Sequence, residues 1–371
     1  MQNEFIGAGT IEEAGRIVES ISPQKVFLVS GKRSFELSGA AGVFKKLLGG
    51  LDYYRHSEFS ENPKFDDLVR GAELIKKYQP DLIIAVGGGS VIDTAKIISV
   101  LPTDRHDAEQ IIRGETSVSH KIAPLLAIPT TSGSGSEATH FAVAYLDSEK
   151  YSVASDRLFP DYVILDPELT YSMSAYQTAV SGIDALCQGI ESYWAKRAND
   201  ESRAYASEAI QLILRSLVKA VNDPNPAVRS NITKGANLAG KAINIAKTTA
   251  PHAISYAFTT FYGIPHGHAV ALTLGEFFLI NTKRAFDKTD NGLMQAMKDL
   301  FELMQCNSAE ACRDTFQKVM ENIGLETKLN KLTSNTVNPS IIVKHINEER
   351  LGNHPISLSK KDIHRIITAI L

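Results

Sequence analysis

Four side chains in this sequence have the chemistry of a metal site: a carboxylate, an amide and two imidazoles. Asp184 and Gln188 are four residues apart, so on a helix they lie on one face. His252 and His266 follow in separate segments and can close on that face. Their oxygen and nitrogen atoms are the ligands that divalent metal ions take in proteins. We therefore predict a metal pocket formed by these four residues.

Short apolar runs between helical patterns predict the framework of the N-terminal half. Residues 25–30, 81–86 and 124–128 have the composition of buried strands, and residues 65–75 have helical spacing. Strands that alternate with helices predict a parallel sheet of Rossmann type.

A glycine-rich segment stands where the second of these strands meets a helix. It consists of Gly87, Gly88, Gly89 and Ser90. Glycines there let the backbone approach a ligand, and a helix N-terminus attracts anions, so a pyrophosphate is the expected ligand. The alternative is a simple tight turn. The segment is neither G-x-G-x-x-G nor a P-loop.

The loop after the third strand is rich in hydroxyl groups and glycines. It contains Thr130, Thr131 and Ser134. Its place after a buried strand favours a second phosphate contact or a nicotinamide contact. A flexible loop without a ligand is the alternative.

The pattern changes to long helical segments after about residue 175. We predict an α/β dinucleotide-binding domain over residues 1–175 and an all-helical metal and substrate domain over residues 176–371. Ligands usually bind in the cleft between such halves.

The length, composition and net charge of the chain exclude several classes of protein. The chain has 371 residues, 43% of them hydrophobic, and a formal net charge of -3, which indicates a soluble globular protein. Nothing favours nucleic acid or a membrane as a partner, and the N-terminus lacks the pattern of a secretory signal. The three cysteines cannot all pair. We expect a cytoplasmic protein.

Several of these segments together resemble the iron-containing (group III) alcohol dehydrogenases. The matching segments are residues 87–96, 129–137, 166–169, 184–186 and 265–267. The match runs in order over nearly the whole chain. It implies a Rossmann-like domain followed by an all-α metal domain, a fold shared with dehydroquinate synthases.

The resemblance also implies an activity and cofactors. Members interconvert alcohols and aldehydes or ketones with NAD(P) and a divalent metal, of which iron and zinc are the leading candidates here. The resemblance adds Asp93 to the residues expected to bind the nucleotide, and it implies a homodimer.

The sequence departs from the family pattern at two places. The family usually binds its metal through one Asp and three His, and Gln188 stands at the fourth place. Tyr256 stands where many members have another His, and its phenol or His268 would relay a proton. The alternatives are that Tyr256 only packs and that His268 points away from the metal. Glu191 and Trp194 are expected to pack or to support the ligands.

Residues 241–256 and 265–268 resemble one branch of the family, the phosphonoacetaldehyde reductases, in which Gln also occurs at the place of Gln188. These enzymes reduce phosphonoacetaldehyde to 2-hydroxyethylphosphonate. Cations and polar donors near His252 suit an anionic substrate tail. The candidates are Lys241, Asn244, Lys247 and Thr248. The alternative is that the lysines are solvated surface charges.

The choice of nucleotide is predicted from the loop that follows the first buried strand. An acidic residue there favours NAD, whereas a cation accommodates the 2′-phosphate of NADP. This chain has Gly31, Lys32 and Arg33 and no acid. We expect that NADPH is accepted and preferred.

Three other functions remain open at this stage. The first is a general alcohol dehydrogenase for small uncharged alcohols and aldehydes. The second is a cyclase of the dehydroquinate synthase type. The third is a nucleotide-binding protein that has lost its metal and its catalysis.

Overall fold

The computed structural model divides into two compact units, Met1–Met173 and Ser174–Leu371. The residues that the structure describes are 2–147, 149–334, 336–344, 346 and 351–371.

The N-terminal unit is built on a six-stranded parallel sheet with the strand order β1-β8-β5-β4-β2-β3. Its strands are β1 (Asn3–Ile6), β2 (Lys25–Ser30), β3 (Asp52–His56), β4 (Leu82–Gly87), β5 (Leu125–Pro129) and β8 (Tyr162–Leu165). An antiparallel hairpin is formed by β6 (Phe141–Leu146) and β7 (Glu149–Ala154).

Helices cover both faces of the parallel sheet. They are α1 (Glu13–Ile21), α2 (Ser34–Leu37), α3 (Ala40–Leu47), α4 (Phe65–Tyr78), α5 (Gly89–Ile98) and α6 (Arg105–Arg113). Successive residues of β4 belong to two different hydrophobic clusters, Ile83 to one and Ile84 to the other. A strand that is buried on both faces is apolar throughout, which is why these strands read as continuous hydrophobic runs.

The predicted fold class is confirmed, and so are the three predicted buried strands and the helix that begins at residue 65. Strands β1 and β3 have no counterpart among these predictions. Both lie at edges of the sheet. The sequence of β3 is Asp-Tyr-Tyr-Arg-His, and its first three residues are exposed. An edge strand of this kind has no hydrophobic run to reveal it.

A buried lysine fastens the loop after β5 to helix α5. Lys96 is 0% exposed, and its ammonium donates to the carbonyls of Ser136, Thr139 (2.7 Å) and Phe141 (3.0 Å). It also donates to Thr139 Oγ1 at 3.0 Å. The ammonium therefore satisfies a run of buried carbonyls, which would otherwise lack partners.

The C-terminal unit is helical. Its helices are α7 (Ala175–Trp194), α8 (Asp200–Asn222), α9 (Pro226–Ala246), α10 (Ala250–Tyr262), α11 (His266–Asp287), α12 (Asn291–Leu303), α13 (Ala309–Asn322), α14 (Leu329–Leu332), α15 (Pro339–Lys344) and a C-terminal helix (Lys360–Ala369). Helix α7 packs against α8, α9 and α11, and from Gly182 to Trp194 every residue is buried. Ser359 caps the C-terminal helix by accepting from the amide of Asp362.

Among the described residues, none of the helices has the length and apolar composition that crossing a bilayer requires.

Replacing Lys96 by methionine tests the role of the buried ammonium. Lys96→Met keeps the apolar stem and removes the donor, so buried carbonyls lose their partner. We expect the free energy of unfolding to fall by about 3 kcal/mol in urea titrations. The matched control is Lys77→Met on the exposed side of α4, which should change it by less than about 0.5 kcal/mol. Equal stability of the two variants would contradict the proposed role.

Candidate metal centre

Helix α7 presents three polar side chains on one buried face. Asp184, Gln188 and Glu191 follow at helical spacing and are 7%, 4% and 0% exposed. Ser174 caps the helix by accepting from the amide of Gln177 at 3.2 Å. Two carboxylates and an amide buried this deeply require partners of opposite polarity.

The first turn of helix α10 supplies one of these partners. The Nδ1 atom of His252 donates to Glu191 Oε1, and its Nε2 atom lies 3.5 Å from Asp184 Oδ1. Glu191 Oε2 accepts from both the amide (2.7 Å) and the hydroxyl (2.8 Å) of Thr249. Because Nδ1 carries its proton toward Glu191, Nε2 is the ring nitrogen that faces Asp184.

The first turn of helix α11 brings the second histidine beside the first. A Cβ atom on Gly267 would lie 2.1 Å from the carbonyl oxygen of Val180 and 2.8 Å from Cβ of Asp184. Only glycine permits this approach of α11 to α7. It places His266 so that its ring centroid lies 5.3 Å from that of His252.

The two histidines and Asp184 form a cluster with the donor set of a metal site. One ligand atom from each of Asp184, His252 and His266 lies within 4.8 Å of the others. The buried Oδ1 atom of Asp184 has no hydrogen-bond partner among the described residues. A buried carboxylate oxygen left without a donor, beside two imidazoles, fits a bound divalent cation.

Gln188 lies at the edge of this cluster. Its Nε2 atom donates to Asp184 Oδ2 at 3.2 Å. The carbonyl oxygen is therefore the atom of this amide that would act as a ligand, and amide oxygens suit hard divalent ions.

The field at His252 favours positive charge. Burial alone would lower the pKa of this imidazole, but the charges of Glu191 and Asp184 and its hydrogen bond to Glu191 raise the pKa to about 9. The same two carboxylates favour a divalent cation at this position.

The two candidate proton donors, Tyr256 and His268, have different surroundings. The ring of Tyr256 stacks on that of His266, with centroids 5.8 Å apart, so this phenol lies beside the cluster. His268 is 2% exposed and its Nε2 atom donates to the carbonyl of Glu326 at 2.7 Å. Its proton is thus engaged with a backbone oxygen, and burial lowers its pKa. Cys187 is fully buried, and burial raises the pKa of its thiol.

The four candidate anchors for an anionic substrate lie at the end of α9 and in the loop that leads to α10. Lys241 places its ammonium over the ring of Tyr205 on α8, 5.9 Å from the centroid. Asn244 and Lys247 are half-buried, and Thr248 is 2% exposed. Their roles toward a substrate remain predictions.

The candidate nucleotide residues of the N-terminal unit follow the carboxyl ends of adjacent strands β2, β4 and β5. Gly31 begins the loop after β2, where Lys32 pairs with Glu58 at 2.8 Å and Arg33 is exposed. Parallel neighbours put these loops at one edge of the sheet, the usual place for a nucleotide.

The glycine-rich segment and the hydroxyl-rich loop are in direct contact. A Cβ atom on Gly88 would lie 3.3 Å from Thr131 Cγ2, and one on Gly89 would lie 2.6 Å from Ser134 Oγ. Thr130 is 3% exposed and its hydroxyl has no hydrogen-bond partner among the described residues. The glycine backbone at the start of α5, which carries no side chains, and the unsatisfied hydroxyl of Thr130 fit a bound phosphate group.

Asp93 and Arg55 hold these loops in place. The carboxylate of Asp93 accepts from Ser136 Oγ and from the amide of Val143 at 3.1 Å. Arg55 donates to Ser30 Oγ at 2.8 Å and to the carbonyl of Gly31 at 3.2 Å. Sequence reasoning missed Arg55 because it missed strand β3, whose register sets Arg55 opposite Leu28. It also missed Thr249, whose bond to Glu191 joins residues far apart in the chain.

Comparison with protein families gives two matches that together span nearly the whole chain. The profile described as iron-containing alcohol dehydrogenase matches residues 2–167. The profile described as the C-terminal part of the Fe-containing alcohol dehydrogenase family matches residues 178–371.

Individual relatives carry more specific names. The chain is 33% identical to long-chain-alcohol dehydrogenase 1 of Geobacillus thermodenitrificans, over 98% of this chain and 94% of that protein. It is 33% identical to phosphonoacetaldehyde reductase of Streptomyces viridochromogenes, over 58% of this chain and 57% of that one. The solved structure of sulfoacetaldehyde reductase from Bifidobacterium kashiwanohense in complex with NAD+ superposes with a TM-score of 0.88 at 28% identity, covering 100% of this chain and 96% of that chain.

Glu191→Gln tests the support that the buried carboxylate gives to His252. The variant keeps the volume of the side chain and removes the charge that orients the imidazole. We expect the dissociation constants for Fe²⁺ and Zn²⁺, measured by chelator competition, to rise about 10- to 100-fold. The matched control is Glu321→Gln, at an exposed position of α13, which should bind metal as the unmodified protein does. Unchanged affinity in Glu191→Gln would refute the supporting role.

Proposed function

This chain belongs to the iron-containing alcohol dehydrogenase family, and on that premise we propose that it reduces small anionic aldehydes to alcohols with NADPH. Phosphonoacetaldehyde, reduced to 2-hydroxyethylphosphonate, is the substrate we put first. The observation that carries the proposal is the cluster formed by buried Asp184, buried His252 and half-buried His266. A divalent metal held there, with Gln188 as a further ligand, would supply a Lewis acid that polarises a carbonyl group.

The residues around the cluster have roles that follow from their contacts. Glu191 fixes the orientation of His252 by accepting from its Nδ1 atom. Tyr256, whose ring stacks on that of His266, would pass a proton to the oxygen of the product alcohol. A reduced nicotinamide held by the N-terminal unit would supply the hydride for the carbonyl carbon, and the proton would come from water by way of Tyr256.

The N-terminal unit would hold the nucleotide. The amides at the start of α5, beside Gly88 and Gly89, suit its pyrophosphate, and the loop of Thr130, Thr131 and Ser134 lies against them. Assignment of residues 1–175 to the nucleotide and of residues 176–371 to metal and substrate is part of this proposal.

Two of the relatives support an anionic substrate. Their names describe reductases of phosphonoacetaldehyde and of sulfoacetaldehyde, which both carry an acidic group next to a short aldehyde. The segment before His252 offers Lys241 and Lys247 as cations for such a group.

A second candidate function is the oxidation of uncharged alcohols. It is favoured by the relative named long-chain-alcohol dehydrogenase 1, to which this chain is similar over 98% of its length. The two functions differ in the charge of the substrate, so one comparison of substrates separates them.

The first test is NADPH oxidation by the metal-loaded protein with phosphonoacetaldehyde, sulfoacetaldehyde and butanal in parallel. We expect kcat/KM for the two anionic aldehydes to exceed that for butanal by about 10- to 100-fold, the effect of one charge-assisted hydrogen bond. Removal of the metal should abolish turnover, and its return should restore it.

Other outcomes of this assay would favour a different function. Equal kcat/KM values for charged and uncharged aldehydes would leave the general alcohol dehydrogenase. Full turnover without metal would exclude the proposed chemistry. No net consumption of NADPH with any aldehyde would point to a cyclase or to a protein that only binds nucleotide.

Lys32→Ala combined with Arg33→Ala tests the predicted preference for NADPH. These side chains are exposed in the loop after β2, where a cation would meet the 2′-phosphate. We expect KM for NADPH to rise about tenfold with KM for NADH unchanged. The control pair is Lys45→Ala with Lys46→Ala on the exposed side of α3. An equal rise in KM for NADPH and NADH would show that the loop does not bind the 2′-phosphate.

A further inference from the structure

A connection of three residues, 247–249, sets the direction in which helix α10 starts. Helix α9 ends at Ala246 and helix α10 begins at Ala250, with the candidate metal ligand His252 in its first turn. Because the connection is so short, a change in its backbone angles would move His252 relative to helix α7. The conformation of this connection therefore helps to determine the geometry of the metal-ligand cluster of Asp184, His252 and His266.

Lys247, the first residue of the connection, has a strained backbone. Its φ is 62° and its ψ is 171°. A positive φ with an extended ψ is unfavourable for any residue that has a Cβ atom. Ser22 and Gln79 also follow helices with positive φ, but their ψ values of 51° and 67° are those of an ordinary left-handed cap. A conformation of this kind persists only where the neighbouring groups determine it.

The side chain of Asn353 binds the residues on either side of Lys247. Asn353 is 7% exposed, and its Nδ2 atom donates to the carbonyl of Ala246 at 2.8 Å and to that of Thr248 at 3.0 Å. The first of these is one of the last carbonyls of α9, which a helix leaves without an intrahelical partner. A single amide group thus holds the backbone before and after the strained residue.

Asn353 is itself fixed to other helices of the C-terminal unit. Its backbone carbonyl accepts from the amide of Lys196 at 3.0 Å, and its Oδ1 atom accepts from the amide of Arg197 at 3.3 Å. The next residue, His354, is 0% exposed, and its Nε2 atom lies 2.9 Å from Oδ1 of Asn281 on α11. The side chain that holds the connection is therefore anchored near the end of α7 and on α11, the two helices that carry the other candidate metal ligands.

The far end of the connection is joined to the metal-ligand cluster. Thr249 is 0% exposed and donates to Glu191 through its amide at 2.7 Å and its hydroxyl at 2.8 Å. The indole of Trp194 donates to that hydroxyl at 3.0 Å. Glu191 in turn accepts from Nδ1 of His252. Hydrogen bonds between buried groups therefore lead from the connection to a candidate metal ligand.

We propose that Asn353 is a positioning residue for the metal centre, which holds residues 247–249 in the conformation that presents Thr249 to Glu191 and so orients His252. The role rests on the proposed function, because it concerns the same metal-ligand cluster. Asn353 acts through the backbone of the connection and not as a ligand. Groups that orient a metal ligand from outside the coordination sphere change the affinity for the metal when they are lost.

Asn353→Ala tests this role. Without the amide group two carbonyls lose their donor, and the strained backbone at Lys247 can relax. We expect the dissociation constant for Zn²⁺, measured by chelator competition, to rise about tenfold. In the metal-free protein, hydrogen exchange of residues 246–252, followed by mass spectrometry, should become faster because the bond from the Thr249 amide to Glu191 opens more often.

The matched control is Met320→Ala. Met320 is 1% exposed on α13, a helix that carries none of the candidate metal ligands. Both variants remove buried contacts and should lower Tm by about 5 to 10 °C. Met320→Ala should nevertheless keep the Zn²⁺ affinity and the exchange rate of residues 246–252 that the unmodified protein has. A loss of stability alone would thus not reproduce the expected result.

Combining Asn353→Ala with Glu191→Gln tests the route by which Asn353 acts. If Asn353 orients His252 through Glu191, the removal of the Glu191 carboxylate already breaks that route. The dissociation constant of the double variant for Zn²⁺ should then equal that of Glu191→Gln within about twofold. Two independent effects would instead multiply, and the double variant would bind about tenfold more weakly than Glu191→Gln.

The outcomes separate this inference from the function on which it rests. If the unmodified protein binds Zn²⁺ and Asn353→Ala binds it equally tightly, the positioning role is wrong and the proposed function stands. An equal loss of affinity in Met320→Ala, or multiplied losses in the double variant, would also overturn the role. If the unmodified protein binds no divalent ion, the proposed function and the positioning role are both wrong.

Discussion

The buried carboxylate of Glu191 is the contact on which the metal-ligand cluster depends. It accepts hydrogen bonds from the ring of His252 and from the amide and hydroxyl of Thr249, so helix α7 and the start of helix α10 cannot move independently. With Asp184 it places two acidic groups in a region from which water is largely excluded. Buried negative charges require a cation, and the nearby imidazole nitrogens make a metal ion the suitable one.

In the N-terminal unit a buried positive charge supports the loops predicted to bind the nucleotide, as the buried negative charge of Glu191 supports the metal-ligand cluster. Lys96 is as deeply buried as Glu191, and it satisfies backbone carbonyls where Glu191 satisfies a backbone amide. In each unit a single charged side chain thus fixes the backbone of the segment that carries the chemistry. Neither residue is among the predicted ligand-binding groups, yet each helps to determine where those groups lie.

The features that could be predicted from the sequence are those that depend on the local order of residues. The spacing of Asp184 and Gln188 predicted one face of a helix, and the apolar runs of β2, β4 and β5 predicted buried strands. Both predictions depend on the order of residues within a short segment. The edge strand β3 and its Arg55 carry no such pattern. The bond between Glu191 and Thr249 and the backbone angles of Lys247 depend on tertiary contacts, and no local signal reports a positive φ at a lysine.

The close approach at Gly267 has a consequence for which ion the site accepts. The distance between α11 and α7 is set where a Cβ atom would meet the carbonyl of Val180, at a residue that is not itself a ligand. That distance limits how far His266 stands from Asp184. The ion that fits is therefore selected partly by the ligand types and partly by the backbone at Gly267, which contributes no ligand atom.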